Sequence, residues 1–296
     1  MSNDTEQRKK LTFEQAEGAQ PLPSQLRLKE VSRELRALLW ARIHSYLEDA
    51  IQYDDYTRGT FRAPWSTIFK DEFVYRQHKM ADRYENYADE QITSLRDLFE
   101  KGSYLAIFGW LEFVLKHPAC PGRLPQQVEN ILRHCRAAYR VIDDVVICPI
   151  GSEAEHATVT KAFADLASTQ FNGARAHLRN AATQLTAGAY ADCVRESIHA
   201  VEAVGKTLDP TADILPKALR RLEQKIAIHP AMKNGFVSLY AYTSDEKGIR
   251  HALLDDGSAK VDEADALFML GACAAFVSYM INKARSNGLL EGSDGR

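Results

Sequence analysis

The chain has no patterned cysteines, no strong net charge and no apolar N-terminal run, and each absence removes a class of function. Its five cysteines (Cys120, Cys135, Cys148, Cys193 and Cys273) are scattered without a CxxC pair. An odd, dispersed set argues against a disulfide framework or a zinc knuckle and fits reduced thiols in the cytoplasm. The formal net charge is −3, so no global field draws the molecule onto nucleic acid or anionic lipid; a polyanion would need a local patch. Residues 1–20 are polar and mixed in charge, unlike a signal peptide. Glycine-rich phosphate loops, HExxH, GxSxG and GxGxxG are all missing, which removes the common nucleotide, metalloprotease and hydrolase readings. The aspartate pairs at 54–55, 143–144 and 255–256 lack partners at metal-ligand spacing, so neither a metal site nor a cofactor is expected.

What the sequence does contain is helical periodicity, in a chain of 296 residues that is 45% hydrophobic and 26% charged, long enough for two ordinary domains. Val31, Leu35, Leu38, Leu39, Ile43, Tyr46, Leu47 and Ala50 predict one amphipathic helix, with Ser32 as its cap. Tyr53 to Pro64 reads as a loop. Helical patterns follow over about 66–80, 82–99, 104–115 and 126–139, and Pro118, Pro121, Gly122 and Pro125 punctuate them. Val141 to Ile147 breaks the helical period, and β-branched runs on either side of Asp143-Asp144 predict a small hairpin. Ser152-x-x-Glu155 is a capping box that starts a new helix after Pro149 to Gly151. The expected organisation is mainly α: a leader over 1–23, an N-terminal helical domain with the hairpin over 24–151, and an antiparallel helical bundle over 152–290.

In the second half, helical patterns run over about 153–187, with a break at Asn172-Gly173, and over 190–208, with Gly188 between them. Pro216 and Pro230 open two shorter helices, and a polar loop is expected over 243–247. The last helix, about 262–285, has acids in its first turn, Lys283 and Arg285 in its last and Gly288 after it. Its core, Ala266 to Ile281, is short for a membrane span and reads as a buried helix. No membrane association is expected.

Four constellations are candidates for chemistry. The first is the turn Gly248-Ile249-Arg250-His251. An imidazole can move a proton near neutral pH while a guanidinium holds a phosphate through paired donors. On this reading His251 deprotonates a ribose 2′-hydroxyl or protonates the leaving 5′-oxygen, and Arg250 holds the phosphate. The plain alternative pairs Arg250 with Asp245, Glu246, Asp255 or Asp256 and leaves His251 to pack. The second is the stripe Arg195, His199, Glu202 and Lys206 on one helix face: either its charges tune His199 or they form an intrahelical salt-bridge ladder. The third, Lys217, Arg220, Arg221 and Lys225, is read as a solvated face. The fourth, Tyr53 to Arg62 followed by Trp65, could stack bases or a ligand or could pack over a helical core.

The run from Ala187 to Glu202, with its short turn entering a helix of small residues and a glutamate, resembles the second helix of HEPN-like domains. Ser244 to His251 occupies the place of the HEPN catalytic motif, and roughly residues 25–285 resemble abortive-infection proteins of the AbiJ type, an AbiJ-type N-terminal domain ahead of a HEPN-like domain. The resemblance implies phage defence in bacteria and, for active HEPN members, a metal-independent RNase working as a homodimer, with RNA as substrate. It places Arg250 and His251 as catalytic residues, with Gly248, Arg195, His199 and Glu202 around them. One departure stands out. A common form of the motif reads R-N-x-x-G-x-x-H, and setting Gly248 and His251 on its Gly and His leaves Ser244 at the arginine and Asp245 at the asparagine. A non-catalytic HEPN-like module that senses a phage or host component is therefore the alternative, and nucleotide binding at the same turn is a third reading.

Overall fold

The structure is a computed structural model, and it describes residues 25–53, 58–167, 169–245 and 260–290. Among the described residues there are eleven α-helices and two small antiparallel hairpins, the mainly α architecture expected. The chain divides into two compact units, residues 25–107 with 127–138 and residues 108–126 with 139–290.

In the first unit, helix α1 (Arg33–Glu48) buries Leu35, Leu39, Ile43 and Leu47 along one face. The Leu35 N–H donates to the Ser32 hydroxyl at 3.1 Å, a cap of the kind that contributes about 1 kcal/mol. Strands β1 (Ile51–Gln52) and β2 (Thr60–Phe61) pair with Ile51 opposite Phe61, so the expected loop closes on itself as a short ladder. Helix α2 (Trp65–Asp71) runs into a single π-helical turn, Glu72–Arg76, and ends well short of the expected residue 80. Helix α3 (Ala88–Lys101) buries Ala88, Ile92, Leu95 and Phe99 and packs on α1. Helices α4 (Tyr104–Lys116) and α5 (Leu124–His134) each contribute residues to both units.

The second unit contains the hairpin of β3 (Tyr139–Ile142) and β4 (Val146–Pro149). Its turn is where sequence predicts it. Val145 N–H donates to the Ile142 carbonyl at 3.2 Å, and Asp143 (φ 53°) and Asp144 (φ 61°) both take the left-handed conformation that a tight hairpin turn of the right twist requires and that Asp tolerates better than most residues. Helix α6 (Glu153–Asp165) starts at Ser152, whose hydroxyl accepts from Glu155 N–H at 3.2 Å. Helices α7 (Asn172–Thr186) and α8 (Tyr190–Leu208) form an antiparallel pair. The turn between them needs Gly188 at φ 76°, with Ala189 N–H returning to the Gln184 carbonyl.

Asp143 also ties the hairpin to α7. Its side chain, 4% exposed, accepts from Arg175 Nε at 3.2 Å on one oxygen and from Arg179 Nε at 2.9 Å on the other, and both Nη2 atoms join in. The arginines are one helical turn apart, so one carboxylate meets two forks. Removing a buried partner of an ion pair costs about 3–5 kcal/mol, and these guanidiniums are partly solvated, which lowers the figure. We expect Asp143→Ala to destabilise the protein by about 2–3 kcal/mol, read from the shift of the urea midpoint at unchanged slope.

Helix α8 is the centre of the second unit, packed against α7, helix α9 (Leu215–Leu222), helix α10 (Pro230–Asp245) and helix α11 (Glu263–Ser286). It can approach α9 closely because residue 205 is glycine: a Cβ there would meet Ala218 Cβ at 3.3 Å and Leu215 Cδ1 at 3.4 Å. Helix α11 begins with a full capping box, Asp265 N–H to Asp262 at 3.0 Å and Asp262 N–H to Asp265 at 3.1 Å, and passes out of helix at Gly288 (φ 69°). Among the described residues it is the one helix long and apolar enough to span a membrane by composition. It serves instead as a core helix, burying Ala266, Met269, Leu270, Cys273, Val277 and Met280.

Candidate functional site

The turn of Gly248, Arg250 and His251 lies outside the described residues, and so do Asp54 to Thr57 of the aromatic segment. The helices on either side of the turn are described. Ser244, at the position of the motif's arginine, belongs to the last turn of α10; its hydroxyl donates to the Tyr240 carbonyl at 3.4 Å, and Thr243 donates to the same carbonyl at 2.7 Å. These back-bonds satisfy the hydroxyls within the helix, and α10 continues to Asp245 where a polar loop over 243–247 is expected.

After these residues the chain continues into α11. Cys193 Sγ on α8 lies 3.7 Å from the Ala266 carbonyl in the first turn of α11, while Gly205, further along α8, faces Met280, further along α11. The two helices therefore run the same way and begin at the same end. Arg195 and His199 stand on the first turns of α8 beyond that point.

The side chains of the α8 stripe have partners. Arg195 pairs with Asp192 at 2.7 Å and Lys206 with Glu202 at 3.3 Å, so the outer members form the intrahelical ladder that was one of its two readings. Glu202 itself is 7% exposed. His199 differs. It turns toward Glu196, Nδ1 to Oε1 at 4.0 Å, and Glu196 Oε2 lies 2.8 Å from Nδ1 of His177 on α7. The two imidazole rings meet edge to face, centroids 5.3 Å apart. One ligand-capable atom from each of His177, Glu196 and His199 lies within 4.8 Å of the others. Glu196 and His199 could have been noticed in the sequence from their helical spacing. His177 could not, because only the α7–α8 turn at Gly188 sets its register against Glu196.

The thiols play no part in such chemistry. Burial raises the Cys193 thiol to about 12 and pushes Cys148 and Cys273 well up; burial likewise lifts Cys120 and Cys135 to about 11. All five are free and protonated at neutral pH.

The aromatic segment of the first unit is largely packing. Phe61 and Trp65 are each 1% exposed and contact Phe69, at 5.1 Å and 5.8 Å between ring centroids. Arg58 pairs with Glu90 at 3.1 Å and lies over Tyr87. Tyr53 alone among these described aromatics is strongly exposed. The basic face of α9 is solvated as read, Lys217 pairing with Asp213 at 2.8 Å and Arg221 with Asp209 at 3.7 Å. A cavity of about 650 Å³ between α1 and α3, with Arg33, Arg36, Trp40, Arg96 and Lys101 in its wall, gave no signal in sequence because its cations come from two helices. Two of them are engaged, Arg36 with the Phe99 carbonyl at 2.9 Å and Lys101 with Asp97 at 2.8 Å.

The fold defined by these units is that of a two-part helical protein. A family model for AbiJ N-terminal domain 4 matches residues 11–165, more than half of the chain, and the chain belongs to that family, one of abortive-infection phage defence. The match runs through the β3–β4 hairpin and α6, beyond Gly151. No curated protein and no solved structure matches the chain.

Proposed function

We propose that this is an abortive-infection protein whose second unit is HEPN-like and cleaves RNA without a metal ion, acting in the cytoplasm as a homodimer through that unit. His251 is the general acid/base and Arg250 the phosphate-stabilising group. Gly248 allows the turn, and Arg195, His199 and Glu202 border it. The observation that supports this most is the common starting end of α8 and α11, the helix that follows the Arg250-His251 segment in the chain: its first turn adjoins Cys193 on α8. Arg195 and His199 are the polar residues that follow Cys193 on α8.

The chemistry follows from the residue types. RNA cleavage by its own 2′-hydroxyl needs a proton removed from that hydroxyl, a proton delivered to the 5′-oxygen, and charge on the phosphate countered as it develops. A histidine titrating near neutral pH serves the first two needs and a forked guanidinium the third.

A second reading is a HEPN-like module that binds a phage or host component without catalysis. Ser244 favours it, because the motif's arginine position is filled by a hydroxyl bonded back into α10. The two readings part in one experiment. The purified full-length chain, incubated with total RNA in excess EDTA, is expected to cleave it, and intact RNA under all conditions of dimer and salt would leave only the binding module.

A further inference from the structure

We propose that His177, Glu196 and His199 form a binding site for one divalent transition-metal ion, zinc above all, with a coordination position open to solvent. The site shares His199 with the residues proposed to border the Arg250-His251 turn, but it does not depend on the cleavage chemistry assigned to that turn.

The geometry is close to that of a metal site. Zinc bound at about 2.0–2.1 Å holds its tetrahedral ligands about 3.3 Å apart. Here the contacts with Glu196 are 2.8 Å from His177 and 4.0 Å from His199, and the whole set spans no more than 4.8 Å. The two short contacts use different oxygens of Glu196, and one donor atom from each residue lies within 4.8 Å of the others, near the edge that zinc requires. Glu196 sits between the imidazoles, 2.8 Å from His177 Nδ1 through one oxygen and 4.0 Å from His199 Nδ1 through the other.

The donors and their scaffold agree with this. Two imidazoles and one carboxylate suit zinc and its borderline neighbours and give little to magnesium or calcium, which prefer oxygen. Glu196 and His199 are one turn apart on α8, and His177 is on the antiparallel α7, held in register by the Gly188 turn. Ligands fixed on two packed helices lose little freedom on binding. Their side chains are 37%, 16% and 27% exposed for His177, Glu196 and His199, so an ion can enter from solvent and keep a water as fourth ligand. Cys193, one turn before Glu196, does not compete: its thiol faces the Ala266 carbonyl.

Titration of the full-length protein with cobalt(II), followed by its visible ligand-field absorption and then by displacement with zinc, tests the site. The expected result is one tight equivalent per chain, displaced by zinc, with a melting temperature raised by zinc. His177→Ala and His199→Ala should each weaken the metal at least about 100-fold, a larger loss than removal of an outer supporting residue brings. Glu196→Gln, which keeps the size and the helix, should weaken it as well. Circular dichroism of the metal-free variants should match the wild type, and a variant that fails this check is replaced by Gln at the same position. Absence of a cobalt spectrum from the wild type, or wild-type affinity in the variants, would overturn the site. Because no RNA enters this assay and EDTA is present in the cleavage assay, either proposal can fail without the other.

Discussion

Alanine at His251 is expected to reduce metal-free RNA cleavage by about 10²–10⁴-fold, the range that a positioned acid/base supplies. Arg250→Ala should lose a comparable factor, about 10²–10³, because charge stabilisation by a donor aimed at the developing oxyanion is of that size. Arg250→Lys discriminates further. Lysine keeps the charge but not the planar fork, so a bidentate phosphate contact predicts a substantial loss and a simple surface charge predicts almost none. His199→Ala should act mainly on KM, since His199 is proposed to border the turn. All of these comparisons are made in EDTA, so that an ion at the His177 cluster contributes nothing. A His251→Ala protein that cleaves at the wild-type rate would remove His251 from the mechanism.

The largest structural effect is expected at Phe276. It is 1% exposed on α11, stacks on Phe236 of α10 with ring planes within 10°, and has Tyr279 as a second stacked neighbour. Phe276→Ala removes the transfer free energy of a ring and leaves a cavity between two helices, which together cost about 3–5 kcal/mol. In a protein of this size that corresponds to a fall in Tm of roughly 10 °C. The same substitution at Phe268, on the same helix but 61% exposed, should change stability by no more than about 0.5 kcal/mol. Scanning calorimetry of the two variants side by side checks the burial pattern of α11, and equal losses would contradict it.

Much of the fold was legible because its signals are local. The Leu35, Leu39, Ile43, Leu47 repeat needs only helical spacing, and Ser32, Ser152 and Asp262 announce their helices by the residue that accepts the first free N–H groups. Gly188 and Gly288 end helices because they adopt positive φ, and the sequence shows a glycine plainly. The Asp143-Asp144 turn was legible from the β-branched runs that flank it and break the helical period. The β1–β2 ladder was not: two residues a side is too short for any period, and its pairing joins Ile51 to Phe61 across a loop. The fate of Phe61 and Trp65 was also hidden, since an aromatic in a loop reads the same whether it faces Phe69 or solvent.

The candidate site divides along the same line. The polar stripe on α8 was visible as spacing, but spacing could not tell that Arg195 and Lys206 are held by Asp192 and Glu202 while His199 turns to Glu196. His177 was invisible because its partner is on another helix. The two arginines that grip Asp143 are of this kind too: Arg175 and Arg179 are one turn apart on α7, yet nothing near them in sequence names a carboxylate in a distant hairpin. Contacts made within a helix are written in its spacing, and contacts made between helices depend on a register that only the packed bundle defines.

Defence is expected to depend on chemistry at the Arg250-His251 turn, and the most direct measurement is survival of a phage-challenged bacterial culture carrying the wild-type protein, His251→Ala or Arg250→Ala, with matched expression and matched melting temperature. Protection by the wild type and its loss in both variants is the predicted result. Full protection by both variants would contradict the claim and leave the chain a defence protein that works by binding.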